Sequence, residues 1–293
     1  MGTDTYPAIN RVKGAYVPEG DMVWRTAYHL DRALSGQVLT GSDFRVPAYA
    51  TLDLSGRRVV ATVARGKHLL TRIGDGDEAV TLHTHLKMEG SWHLYHPGTS
   101  WRRPAHEARV VLRTDGWVAV GFALGVVEVV PRADEDRLVG HLGPDLLGPD
   151  WDLDEAVRRV TAEPARPVGE AILDQRNLAG IGNMYKSELC FLLGLHPWLP
   201  IREVRDVPAL LRQAKRVLEA NKMRTAQVTT GDTRRGKQVW VYRRDGRPCR
   251  RCGTLIKVGM QGPEGRGPGA EGAPQAGQER ATYWCPRCQP AGA

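Results

Sequence analysis

Four of the five cysteines stand as two CxxC pairs, Cys249-x-x-Cys252 and Cys285-x-x-Cys288, near the end of a chain of 293 residues. Each such turn offers two sulfurs to one ion, so the pattern asks for a tetrahedral four-thiolate site, and Zn²⁺ is the metal that fits it. With no apolar run suited to a secretory signal, paired CxxC reads as metal ligation rather than disulfides, and the compartment as reducing. Such a site contributes roughly 10 kcal/mol to folding a module too small for its own core. The expected C-terminal element is therefore a zinc-bound β-hairpin over residues 238–289, holding one structural ion. Its interior carries a low-complexity insert, residues 259–277, rich in Gly, Pro, Ala and Gln, which reads as a flexible loop. Cys190 lies in an apolar helical stretch and is expected to be a buried thiol.

Charge follows the cysteines. The net balance is +8, and from Arg234 onward twelve Lys/Arg face four Asp/Glu, so the first 233 residues are together neutral. A basic terminal module is an electrostatic footprint for a polyanion, nucleic acid first among them, although a solvated basic surface explains charge alone equally well. Hydrophobic content of 41% and charged content of 25% are those of a globular protein. No run of eighteen apolar residues is present, so no membrane span is expected; the reducing compartment read from the cysteines makes the expected setting cytoplasmic.

The other end carries Pro18-Glu19-Gly20-Asp21. Behind it Val23, Ala27, Leu30 and Leu34 recur at helical spacing, with Asp21 the expected N-cap. Pro18 and Glu19 then sit at the positive end of a helix dipole, where a cation is disfavoured. Were Pro18 the amino terminus, its ring nitrogen would be a secondary amine of lowered pKa, able to attack a sugar aldehyde as a Schiff-base nucleophile, with Glu19 as acid/base partner. Pro and Glu are also ordinary residues of a first helical turn. Residues 1–17 stand in the way, because an acylated proline nitrogen has no free lone pair. They show little periodicity, and Val17 occupies the place of an initiator Met. The expectation is a true start at Pro18, with 1–17 a mis-assigned start or tag.

Between the termini the chain divides. Runs at 57–63, 68–73, 79–85, 109–114 and 117–122 are short and β-branched, with Gly/Asp turns between, which predicts an antiparallel sandwich or barrel behind the opening helix, residues 18–140. His83 and His85 share a strand face there, and with His93, His96 and His106 they read as packed or surface histidines rather than a metal cluster. Residues 144–150 are a linker by composition. A helical region runs from Leu153 to about Met223, within a domain placed at 150–235. In it one helix is expected to end near Arg176, a glycine-punctuated turn follows, and Asn183 is expected to cap the next. Amides at such a turn make a ready phosphate site, and a plain helical hairpin is the other reading.

Four segments stand in order: Pro18-Glu19-Gly20-Asp21; Arg65-Gly66-Lys67; Asp174-Gln-Arg-Asn-Leu-Ala-Gly-Ile-Gly-Asn183; and Cys249 through Arg280-Ala-Thr-Tyr-Trp-Cys285-Pro-Arg-Cys288-Gln289. Together they resemble the formamidopyrimidine-DNA glycosylase/endonuclease VIII family over residues 18–289. The Pro-Glu-Gly-Asp start is similar to the endonuclease VIII branch, and to its actinobacterial type. The resemblance implies an α+β multidomain protein: an N-terminal helix with an antiparallel β-sandwich, a helix-two-turn-helix domain, and a zinc-finger hairpin. It implies a bifunctional DNA glycosylase and abasic-site lyase, monomeric, with damaged double- or single-stranded DNA as partner. By the same likeness Pro18 is the imine-forming nucleophile and Glu19 its acid/base partner. Lys67 matches the strand lysine that assists catalysis and grips phosphate, and Asn183 the turn asparagine on the DNA backbone. Arg280 matches the zinc-finger arginine that contacts phosphate and assists the second elimination. Lys87 and Met88 fall in the DNA-contacting turn, Met88 resembling the wedge that fills the void left by a flipped base. From sequence alone Met88 serves equally well as a core residue.

The 32 residues between Cys252 and Cys285 exceed the family's usual gap about twofold. No counterpart of the loop that holds 8-oxoguanine is evident, which favours oxidised pyrimidines over an 8-oxoguanine or formamidopyrimidine specificity. A catalytically inactive lesion-DNA-binding protein would result if the N-terminal extension is native. A zinc-ribbon transcription or RNA-associated factor explains the basic tail but not the joint order of Pro18, Lys67 and Asn183.

Overall fold

A computed structural model describes residues 18–262 and 280–291. The N-terminal extension and most of the insert lie outside them. The chain divides into two compact units, Met1–Leu142 with Lys222–Thr225, and Gly143–Asn221 with Ala226–Ala293. The helical region and the cysteine-bearing segment, expected over 150–235 and 238–289, thus share one unit.

In the first unit, helix α1 (Gly20–Leu34) opens the described chain. Its Val23, Ala27, Leu30 and Leu34 are all buried, the stripe expected of one helical face. Eight strands follow among the described residues: β1 (Gly41–Phe44), β2 (Val59–Arg65), β3 (His68–Ile73), β4 (Val80–His85), β5 (Ser91–Tyr95), β6 (Ala108–Arg113), β7 (Val118–Phe122) and β8 (Val126–Pro131). They form two four-stranded antiparallel sheets, in the orders β1-β6-β7-β5 and β2-β3-β4-β8. One apolar core joins the α1 stripe to Leu69 and Leu82 of one sheet and to Phe44, Trp92, Val110 and Leu112 of the other. Burying each of these side chains contributes roughly 1.5–3 kcal/mol. The expected sandwich behind a helix is present. A short helix, α2 (Glu135–Val139), follows β8, and its Glu135 carboxylate accepts from Arg72 of β3 and Thr81 of β4.

The second unit holds helices α3 (Leu153–Val160), α4 (Val168–Leu173), α5 (Asn183–Leu192) and α6 (Val207–Asn221), then the antiparallel hairpin β9 (Lys257–Gln261) and β10 (Arg280–Trp284). Two sequence expectations fail here. Residues 144–150 are not a loose linker: Asp145 and Leu146 are buried, Leu146 belongs to the helical core, and Asp145 bridges to Ala179. The insert expected from Gly259 begins later, because Gly259, Met260 and Gln261 are ladder residues of β9 paired with Thr282, Ala281 and Arg280. Among the described residues no helix is long and apolar enough to cross a membrane.

Candidate functional site

Pro18 is buried and Glu19 is 0% exposed, immediately before the first turn of α1. The N-cap is Glu19, in extended conformation, and its carbonyl accepts the Val23 amide at 3.0 Å. Asp21, expected at that position, instead lies buried within the first helical turn. Glu19 thus stands at the end of the helix where the dipole favours an anion.

In the same unit β2 and β3 are joined by Gly66-Lys67, a two-residue turn between the paired residues Arg65 and His68. Gly66 has φ +58°, which an L side chain resists and which this kind of turn requires. Lys67, expected in a strand, therefore stands at a hairpin tip.

The β4–β5 turn, Leu86 to Gly90, is tightly built. Lys87 adopts φ +51°, uncommon for a residue with a Cβ. Its amide donates to His85 Nδ1 at 2.9 Å, and Gly90 N donates to the Leu86 carbonyl at 2.8 Å. A Cβ on Gly90 would run into the Leu86 carbonyl, and one on Gly125 into the Lys87 side chain. On this scaffold Met88 is 57% exposed. It is not a core residue. Its thioether is held out to solvent on a tightly built turn.

Beneath the lysines lies a histidine chain that the sequence suggested only as packing. His83 Nδ1 is 2.7 Å from Glu128 Oε2, and His83 Nε2 is 2.8 Å from His68 Nδ1. These two contacts join Glu128, His83 and His68 in one continuous chain. Burial pushes the His68 pKa down to about 3, helped by His85, His83, His141 and Lys87. His85 falls to about 4, through burial first and then Lys87, Lys67 and His83. His68 and His85 therefore stay neutral at pH 7, beside the positive charges of Lys67 and Lys87.

In the second unit α5 begins at Asn183, with Gly182 as its N-cap; Asn183 is the first helical residue rather than the cap. The helix expected to reach Arg176 ends at Leu173. In the turn between them Asp174 holds Arg176 and Arg166. Burial raises the Asp174 pKa, but those hydrogen bonds outweigh it and hold the group at about 2. Asn183 Nδ2 donates to the Ala281 carbonyl at 2.6 Å, while its Oδ1 is buried without a hydrogen-bond partner. An orphaned acceptor costs about 1–3 kcal/mol, an expense more common at functional positions than elsewhere. Arg280, one residue before Ala281, is exposed as the first residue of β10. Asn183 and Arg280 are thus brought together.

Further along α5, Glu188 is fully buried and accepts from the amides of Trp240, Val241 and Tyr242 and the hydroxyl of Thr229. Burial pushes its pKa up against those four donors. Cys190 is the expected buried thiol, raised by burial to about 12. Nothing in the spacing of Glu188 distinguished it from any helical carboxylate.

The ligand atoms of Cys249, Cys252, Cys285 and Cys288 all lie within 4.8 Å of one another. Sγ–Sγ separations of 4.0 Å (Cys249–Cys288) and 3.4 Å (Cys252–Cys285) bracket the edge of about 3.8 Å for a tetrahedron with 2.3 Å metal–sulfur bonds. The four thiols therefore fit a tetrahedral metal ion.

Residues 17–123 match the N-terminal domain of formamidopyrimidine-DNA glycosylase, and residues 142–232 match the H2TH domain of that enzyme. A probable endonuclease 8 2 of Streptomyces coelicolor is 54% identical over 276 residues, 93% of this chain and 94% of the relative. A DNA-(apurinic or apyrimidinic site) lyase, Nei2, of Mycolicibacterium smegmatis is 45% identical, covering 94% of this chain and all of its own (100%). Among solved structures, MutM in complex with DNA containing carbocyclic 8-oxo-G superposes with a TM-score of 0.71 at 21% identity, over 94% of this chain and 100% of that one. That likeness establishes the fold.

Proposed function

Because the chain belongs to the formamidopyrimidine-DNA glycosylase and endonuclease VIII family, we propose that Pro18 is its nucleophile and that oxidised pyrimidines are its preferred lesions. It is a base-excision-repair DNA glycosylase with abasic-site lyase activity. The observation that carries the reading is the junction of Pro18 and the fully buried Glu19 with the start of α1, in a chain 54% identical to an endonuclease 8 relative.

The chemistry follows from a free Pro18 nitrogen. A damaged base is flipped from the stack at a cost of a few kcal/mol, and Met88 fills the space it leaves. The nitrogen lone pair attacks C1′ and the base departs, taking a proton for which Glu19 is the donor. The nitrogen loses its proton and the C1′–O4′ bond breaks, O4′ taking up a proton, so that the opened sugar carries an iminium at C1′ that acts as an electron sink. Loss of a C2′ proton breaks the C3′–O bond and releases the 3′ phosphate. A second proton loss, at C4′, breaks the C5′–O bond and releases the 5′ phosphate. Water returns the amine. Lys67, Lys87, Asn183 and Arg280 hold the phosphates, Asn183 through the amide N–H not committed to Ala281. Cys249, Cys252, Cys285 and Cys288 would hold one Zn²⁺ as thiolates, which would fix the hairpin that carries Arg280. The chain acts as a monomer, in the cytoplasm, where its DNA is. The Pro-Glu-Gly-Asp start and the endonuclease 8 relatives favour pyrimidine lesions over 8-oxoguanine.

Borohydride trapping on oligonucleotides with an abasic site, thymine glycol or 8-oxoguanine tests this. A chain that begins at Pro18 should be trapped, and Pro18→Gly should lower the yield at least tenfold, a loss of about 1.4 kcal/mol or more in transition-state stabilisation. The chain beginning at Met1 has an amide at that nitrogen and should bind abasic DNA without being trapped. Trapping of the longer chain but not the shorter would refute the assignment of Pro18.

A further inference from the structure

A fully buried lysine is uncommon, because an ammonium leaves water only where partners replace its hydration. Lys186 is 0% exposed. It stands on α5 one turn after Asn183, and its Nζ donates to Thr282 Oγ1 at 2.6 Å. Thr282 is fully buried at the middle of β10. The Thr282 hydroxyl lies 3.1 Å from Gln261 Oε1 and 3.2 Å from the Arg280 carbonyl, and Gln261 Nε2 donates to the Pro197 carbonyl at 2.9 Å. Gly169 of α4 makes room, since a Cβ there would stand 2.7 Å from Gln261 Oε1.

The neighbours of Thr282 are taken by the same helix. Asn183 holds the Ala281 carbonyl, and the Tyr283 amide donates to Ser187 Oγ at 3.4 Å. Residues 183, 186 and 187 share one helical face, and residues 281, 282 and 283 are consecutive on the strand. So β10 is gripped along its length by α5 as well as at its end by Cys285. A one-residue slip of β10 would turn each of its side chains to the other face and leave the ammonium without the Thr282 hydroxyl.

We propose that Lys186 is a positioning residue for phosphate capture. Its buried ammonium, held by the Thr282 hydroxyl, sets the register of β10 on α5 and so fixes Arg280 with respect to Asn183. The inference rests on the reading in which those two residues hold the DNA backbone.

Lys186→Met keeps the length of the side chain and removes its charge and donor. Thr282→Val keeps the shape and removes the acceptor, whereas Thr282→Ser keeps the hydroxyl. Affinity for a duplex carrying a tetrahydrofuran abasic analogue is measured on the full zinc-loaded chain. The ratio of second- to first-elimination product is measured on the chain beginning at Pro18. Lys186→Met and Thr282→Val should each weaken binding and lower the product ratio by about tenfold, the size of a lost hydrogen bond to a charged group. Thr282→Ser should stay near wild type, and the double variant should be no worse than either single one, since both cut the same link. The single-turnover rate of imine capture at saturating DNA should change far less than the apparent affinity.

The inference is overturned if both variants fold, retain zinc and keep wild-type affinity and product ratio. A lowered melting temperature with both readouts unchanged overturns it too, as does a Thr282→Ser chain as defective as Thr282→Val. Should Lys186→Met fail to fold, Thr282→Val decides. If Asn183→Ala and Arg280→Ala themselves leave affinity unchanged, the phosphate reading has failed independently of Lys186.

Discussion

Met88 shows what a single side chain can carry in this protein. Its turn is held by the Lys87 amide on His85, by the Leu86 carbonyl on Gly90, and by close packing at Gly90 and Gly125. The thioether itself is more than half exposed. Replacing it should therefore alter stability by no more than about 0.5 kcal/mol. Met88→Ala should nonetheless lower excision from duplex DNA roughly tenfold or more, because the void left by a flipped base goes unfilled. Excision from single strands, where no stack has to be propped open, should change little. Equal loss on both substrates would contradict the wedge role. Sequence alone left Met88 undecided between wedge and core, since one methionine in a polar turn has no periodicity to argue from. Lys186 was silent for a related reason: nothing local marks a helical lysine as buried until the strand that covers it is known.

Among elements, β3 and β4 carry a pH dependence of their own. His68 and His85 are neutral in the folded chain, with pKa values of about 3 and about 4, against an ordinary 6.5. His93 of β5 is likewise lowered to about 4, by burial first and then by Arg103 and Arg102. Between those values and 6.5 the unfolded chain binds more protons, so stability rises with pH across that window. It is fully present above 6.5 and is lost as pH falls toward 4. The melting temperature should drop between pH 7 and pH 4.5, and His85→Asn, which keeps an acceptor for the Lys87 amide without the titration, should flatten that slope. The strands bearing these rings were readable where one face was apolar, as in β2, β3 and β4. Ser91–Tyr95 escaped because all five of its residues are buried, which erases the alternation. Gly41–Phe44 escaped because Gly-Ser-Asp reads as a turn. Both helix caps were placed too late, Asp21 for Glu19 and Asn183 for Gly182, since a good capping side chain competes with an extended residue that does the same work through its backbone.

At the scale of the whole molecule, sandwich, helical region and cysteine hairpin were all legible, because each rests on a pattern repeated over many residues. The grouping of the last two into one unit was not, since it depends on buried polar links such as Glu188 with residues 240–242. Those links bear on the metal. Chelation of Zn²⁺ should unfold the hairpin and abolish binding to abasic DNA, while leaving the sandwich of the first unit folded on its own core. Near-ultraviolet circular dichroism beside far-ultraviolet spectra would follow it. Wild-type DNA affinity in fully metal-free protein would contradict a structural ion.

The pairing of Gln261 with Arg280 closes the ladder of β9 and β10 before the connecting segment begins. Whatever spans those two residues is joined to a frame already complete, so its length is decoupled from where the thiolates stand. Closing a longer loop costs only about 0.6 kcal/mol for each doubling. Evolution can therefore lengthen, shorten or rewrite this connector almost without penalty, and grafting a foreign peptide there should leave repair intact.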